Sequence, residues 1–370
     1  MKDAEERAWA VVRQAYEERV PARKTGASNR LLLAGLALAA IAVAAAVASP
    51  PGRAVFTKVR EAVGLPGAEP ALFSLPAKGP LLVVSREGGG VWLVRDNGFK
   101  RRLGSYTDAE WSPHGLFVVA TTPHQLVALD LDTGVRWTLP RQAWWPRWEG
   151  TRTDTRIAYI TPAGLRVVAG DGTGDHLLDR YAQDVPPAWD PGRLHTVAYF
   201  SGGAIVLRRS DSKALVWRAP ITILPSDLVW SEDGRYLAVV SSKKIVVLDR
   251  AGRVHRTVTT LGQTFVTAAF EPGTHKLALS QRTAGRSEIR LVDVDHPGRA
   301  RLLFAGPGTF GDFAWSQDGT WLLLTWPTAD QWLFLRGSHA HAVANIGEQF
   351  PRADDRPPSL ELAGRWCCSR

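Results

Sequence analysis

The chain has 370 residues, 45% of them apolar and 22% charged, with 45 Lys+Arg against 36 Asp+Glu. This composition excludes a disordered chain, and two cysteines exclude a disulfide scaffold or a Cys-rich zinc module. The net charge of +9 is concentrated at one end: residues 1–60 hold 10 basic and 5 acidic side chains, leaving 35 against 31 over the other 310, too balanced for a groove that tracks nucleic-acid phosphate.

In residues 1–30, Ala4, Ala8, Val11, Val12, Ala15 and Tyr16, with Trp9, recur at helical spacing and predict an amphipathic helix. Such a tail either docks a cytoplasmic partner or lies on the inner leaflet of a membrane. Residues 31–48, LLLAGLALAAIAVAAAVA, contain no polar side chain and approach the length needed to cross a bilayer. They are expected to form a transmembrane signal anchor; Ala46-Val47-Ala48 keeps a cleaved signal peptide open as the alternative. Arg19, Arg23, Lys24 and Arg30 before the span outnumber Arg53, Lys58 and Arg60 after it, which puts the N-terminus in the cytoplasm and the remainder outside a cytoplasmic membrane. Residues 49–70 read as a linker with a short helix over 54–64, ended by Gly64 and Pro66.

From residue 71 an aromatic residue returns at Phe73, Trp111, Trp148, Trp189, Trp230, Phe270 and Trp315, with spacings of 38, 37, 41, 41, 40 and 45. Most of these residues open a turn phrase: Trp111-Ser112-Pro113-His114-Gly115, Trp189-Asp190-Pro191-Gly192, Trp230-Ser231-Glu232-Asp233-Gly234, Phe270-Glu271-Pro272-Gly273 and Trp315-Ser316-Gln317-Asp318-Gly319. An apolar strand follows each turn (116–120, 157–160, 196–200, 236–240, 276–279, 321–325), then an alternating strand (125–129, 244–248, 288–292). An Asp-containing turn and a more polar strand (135–139, 255–259) complete the unit. Four strands in about forty residues predict a propeller blade, and the recurring aromatic is expected to pack between blades, with Trp230 buried there.

These phrases resemble the WD40-like or TolB-type β-propeller repeat, marked by a Trp-Ser-Pro-Asp-Gly turn before an apolar strand. The resemblance implies an all-β propeller over 71–346, of seven four-stranded blades or six if the Phe73 unit is partial. The 347–370 tail lies outside the repeat; its residues 359–362 suit a ring-closing strand, and Cys367-Cys368 can pair with each other or with another chain.

No nucleophile elbow, zinc-protease helix, phosphate loop or dinucleotide fingerprint is present, so no cofactor and no catalytic residue is expected. His339 and His341 share one face of a strand and are the weak metal candidates. The expected role is a non-catalytic module that binds an envelope protein or ligand. A small-molecule- or glycan-binding propeller, and an enzyme with its site in the central channel, are the alternatives. The binding surface is expected on the face carrying the loops between second and third strands (122–124, 281–287) and the inter-blade connection 141–146. Trp144, Trp145, Arg86 and Arg282 are its expected contacts, because Trp and Arg dominate hot spots.

Overall fold

The computed structural model describes residues 74–368, apart from 87–88, 152, 260–263, 284, 297, 299, 338 and 351–359. The expected amphipathic tail, the membrane helix, the linker and Phe73 lie outside the described residues. Among the described residues, no helix is long and apolar enough to cross a membrane.

The described chain forms seven sheets of four antiparallel strands; six are laid down in chain order from inside to outside, and in the remaining one the innermost strand comes from the far end of the chain. Blade two is typical, with strands Asp108–Trp111, Phe117–Thr121, Leu126–Asp130 and Gly134–Leu139. Second and third strands are almost wholly buried, whereas fourth strands such as Val254–Thr259 alternate between exposed and partly buried residues. Burial on both faces of the middle strands produces seven apolar clusters, each shared by two neighbouring blades. The molecule is a seven-bladed β-propeller.

The ring closes through the C-terminus. Leu360–Ala363 is the innermost strand of blade one and pairs antiparallel with Leu81–Ser85, Leu82 opposite Ala363 and Ser85 opposite Leu360. The buried aromatic at the end of this strand is Trp366, 2% exposed in the cluster between blades seven and one, its indole N–H donating to the Gly79 carbonyl at 2.9 Å. Cys367 and Cys368 follow directly and are disulfide-bonded to each other, Cys367 wholly buried and Cys368 packed over the turn at Ser112 and Pro113.

The turn phrase has a simple chemistry. The Ser231 hydroxyl accepts the Tyr236 amide and donates to Asp233, whose carboxylate accepts the Arg235 amide; Ser316, Trp321, Asp318 and Thr320 repeat the arrangement. Gly234 and Gly319 complete these turns at φ 67°, in the left-handed region where glycine carries no Cβ penalty. The aromatics ahead of the turns link blade to blade. Trp189, Trp230 and Trp315 donate their indole N–H to the carbonyls of Arg147, Ala188 and Ala269, each the residue before the preceding blade's own aromatic. Trp111, Trp148, Trp189 and Phe270 are buried. Trp230 and Trp315 are only partly buried, against expectation for Trp230; both line the central cavity.

Blades five and six are clasped near this face by His275, whose Nδ1 meets Asp295 at 2.5 Å and whose Nε2 meets Asp233 at 2.9 Å. Tyr236 donates to the other oxygen of Asp295. Partial burial disfavours the charged ring, but the hydrogen bonds to Asp295 and Asp233 outweigh it and hold His275 above the usual histidine range. Asp233, despite its own desolvation, is held down to about 2 by the bonds from His275 and Ser231. The raised histidine stabilises the fold below the unfolded value of roughly 6.5 and stops doing so as pH rises through its folded value; the depressed carboxylates stabilise above roughly 3.9 and stop as pH falls toward 2. His275→Gln should therefore lower Tm most at about pH 5 and least at pH 9, by calorimetry across that range.

Candidate functional site

The inner strands surround a central cavity of about 800 Å³. Three aspartates stand at one mouth of it, each three residues ahead of a turn tryptophan: Asp108 before Trp111, Asp227 before Trp230 and Asp312 before Trp315. These positions begin the inner strands, so they lie on the face that also carries the loops between second and third strands. Glu361, on the closing strand, joins them and is held by Arg86 at 2.6 Å. One turn deeper, the residue just before the aromatic is Arg365, Glu110 and Arg147 in blades one, two and three, so Glu110 is flanked by two guanidiniums.

The acids are poorly compensated. Asp108 and Asp227 each accept the next residue's amide at 2.8 Å, and Asp312 accepts the Leu362 amide at 3.2 Å. The Oδ2 of Asp108 is buried without a hydrogen-bond partner, and Arg147 is 3.9 Å from it. Glu110 is 8% exposed and accepts only the amide of its neighbour Trp111 among the described residues. Burial pushes all four carboxyls above the usual range, with Arg147 opposing it for Asp108, Glu110 and Asp227. Asp312 is pushed up to about 6 by burial and by the nearby Glu361 charge.

Of the four expected contact residues, the structure brings two together. Arg86 and Trp145 both line this cavity, Trp145 with φ 52° and its indole donating to Asp184 at 2.7 Å. Trp144 and Trp145 are not in a connection as expected; they open the inner strand Trp144–Trp148 of blade three and pack against the cluster between blades three and four. Arg282 is exposed, but the 281–287 segment is not the expected loop: Lys276–Thr283 and Arg286–Asp293 form a long hairpin in which Arg282 faces Ser287. It belongs to blade six and does not line the cavity. His339 and His341 lie on the outer strand His339–Ala344 of blade seven, and the His341 ring is tilted against Phe334 with centroids 6.2 Å apart. No group of three metal-binding side chains occurs among the described residues. The channel acids escaped the sequence reading, although Asp-x-x-Trp recurs three times and was the available signal.

No family model matches the chain, and no curated protein matches it. Solved structures do. A functionally unknown protein from Desulfotomaculum acetoxidans superposes with a TM-score of 0.58 at 11% identity, covering 78% of this chain and 100% of that one. A Bacteroides uniformis protein described as a candidate 6-phosphogluconolactonase gives 0.55 at 15% identity, covering 77% and 100%. The Cps50 (Swd1) β-propeller domain of Myceliophthora thermophila gives 0.51 at 14% identity, covering 66% and 86%. At such identities the likeness is one of fold, the β-propeller.

Proposed function

We propose that this chain is a non-catalytic recognition propeller of the TolB-like kind that takes a small ligand in its central channel and is held at the outer side of a cytoplasmic membrane by residues 31–48. The observation that carries the reading is the cavity of about 800 Å³, within the size range of small-molecule sites and lined by charged groups on several blades. The Trp-Ser-x-Asp-Gly turns support the TolB-like comparison, and the apolar 31–48 segment with its preceding basic cluster supports the anchor. The test is a thermal-shift screen of small polar molecules of every charge against the wild type and Ser226→Trp, which places an indole on the cavity rim. A compound that raises the wild-type Tm and leaves the variant unmoved is the expected result; ligands that act equally on both would overturn the channel as the site. An outside-active reporter fused after Arg370 should be active if the anchor orientation holds.

A second reading, an enzyme working in the same channel, is favoured by Asp312, a channel-lining carboxyl next to Glu361 that burial pushes up to about 6, as befits a general acid. Turnover of a screened ligand that is lost in Asp312→Asn while binding persists would select it.

A further inference from the structure

The chain has two cysteines, adjacent in sequence and bonded to each other just after the closing strand. Their sulfurs have different surroundings. Cys367 is 0% exposed, packed with Val91, Trp111 and Val118 between blades one and two, and its amide donates to the Pro80 carbonyl at 3.0 Å. Cys368 is only partly buried and lines the central cavity. The blade-two turn closes over the pair: a β-carbon at Gly115 would stand 3.1 Å from the Cys367 sulfur and 3.3 Å from that of Cys368. Two features of this seam suit a reduced state. The Cys368 sulfur lies 3.6 Å from the Pro113 carbonyl oxygen and 4.0 Å from that of Ser112, acceptors that a thiol can use and a disulfide sulfur, having no hydrogen, cannot. The Trp111 indole N–H, in the cluster with Cys367, is buried without a hydrogen-bond partner, whereas Trp189, Trp230 and Trp315 commit theirs to a neighbouring blade. A thiolate formed at Cys367 therefore arises in a cluster that holds an unspent donor.

We propose that Cys367–Cys368 is a thiol-exchange site, attacked from the channel at Cys368 by a small thiol. The small thiolate bonds to the Cys368 sulfur; the bond between the cysteines breaks, and its electron pair leaves with Cys367, which takes up a proton. A second thiolate attacks the small-thiol sulfur of the mixed disulfide, forming the small disulfide and releasing Cys368, which is protonated in turn. Two thiols are thus oxidised to one disulfide while the protein disulfide is reduced to two thiols. The exchange uses the channel only as its entrance and does not depend on the ligand proposed above.

The probe is dithiothreitol, whose two thiols supply both attacks, added to the folded full chain and followed by a brief pulse of N-ethylmaleimide. Cys368 should be labelled at least roughly tenfold faster than Cys367, whose buried thiol reacts only when the fold opens locally. Mass-spectrometric fragmentation between the two residues tells them apart, and the reduced protein should keep a cooperative melt. In a second arm, Cys367→Ser incubated with cystamine should form a mixed disulfide at Cys368, and Cys368→Ser should form none. A disulfide that dithiothreitol reduces only in the denatured chain overturns the proposal, as does equal labelling of the two cysteines or loss of the cooperative melt on reduction. A mixed disulfide in Cys368→Ser and none in Cys367→Ser overturns it as well. The wild-type arm decides alone where a variant does not fold.

Discussion

A chain ending at Phe350 should show no cooperative thermal transition and should self-associate. The missing residues include Leu360–Ala363, which among the described residues is the partner of the inner edge of Leu81–Ser85, and Trp366, which packs in the cluster between blades seven and one. Trp366→Ala alone should cost about 3–5 kcal/mol, as large-to-small changes at buried aromatics do. Whole-domain stability is on the order of 5–15 kcal/mol, so loss of the strand together with the keystone aromatic exceeds what the domain can spare. The unpaired strand edge it leaves is a template for intermolecular pairing. Circular dichroism melts and light scattering on the truncated chain are the measurement. A melt within a few degrees of the full chain would show that the ring does not depend on its closing strand.

Glu149→Ala should be the most damaging single change away from the closure. In blade three the Trp-Ser turn is replaced by Trp148-Glu149, and Glu149 reaches into blade four. One oxygen accepts the His195 backbone amide at 2.5 Å, the other meets His195 Nδ1 at 2.9 Å, and the Glu149 side chain is 2% exposed. His195 is held at φ 52° by this grip, with Asp154 at 3.3 Å on its far nitrogen. Alanine would orphan two buried donors, at about 1–3 kcal/mol each, and free a residue from a conformation that β-carbon sterics disfavour. Glu149→Gln, which keeps one acceptor oxygen, should recover part of the loss. Denaturant titrations of the two variants check the order, and equal stability for both would remove the pair from the account of how blades three and four hold together.

The blades were legible because their chemistry is periodic. The Ser, Asp and Gly of the turn each satisfy a defined backbone group, so the phrase survives in sequence wherever the turn survives in structure. Strand 236–240 was expected where Tyr236–Val240 stands, and 359–362 foreshadowed Leu360–Ala363. Departures arose where local signals mislead. Pro146 argues against a strand, yet it sits in Trp144–Trp148, where a bulge between Trp144 and Arg147 and the channel-facing edge require no amide from it. The polar run at 281–287 reads as a loop, but it extends a hairpin whose register is fixed by the apolar residues below it. Trp366 could not be assigned to blade one before the ring closed, since it lies nearly three hundred residues from the strands it completes. The same holds for the candidate site. Asp108, Asp227 and Asp312 share a place in the repeat, but only closure brings Glu361 and Arg365 beside them.

The closing strand also sets a schedule for biogenesis. Ser85 waits for Leu360, 275 residues later. At a synthesis rate of about 5–20 residues per second, the first blade is born with an open inner edge and keeps it for roughly 15–55 s. No arrangement of the intervening blades can shorten that interval, because Leu360–Ala363 follows all of them in the chain. Until then the open edge of blade one is a template for pairing with a wrong strand, and the ring takes its final form only once Leu360–Ala363 is in place.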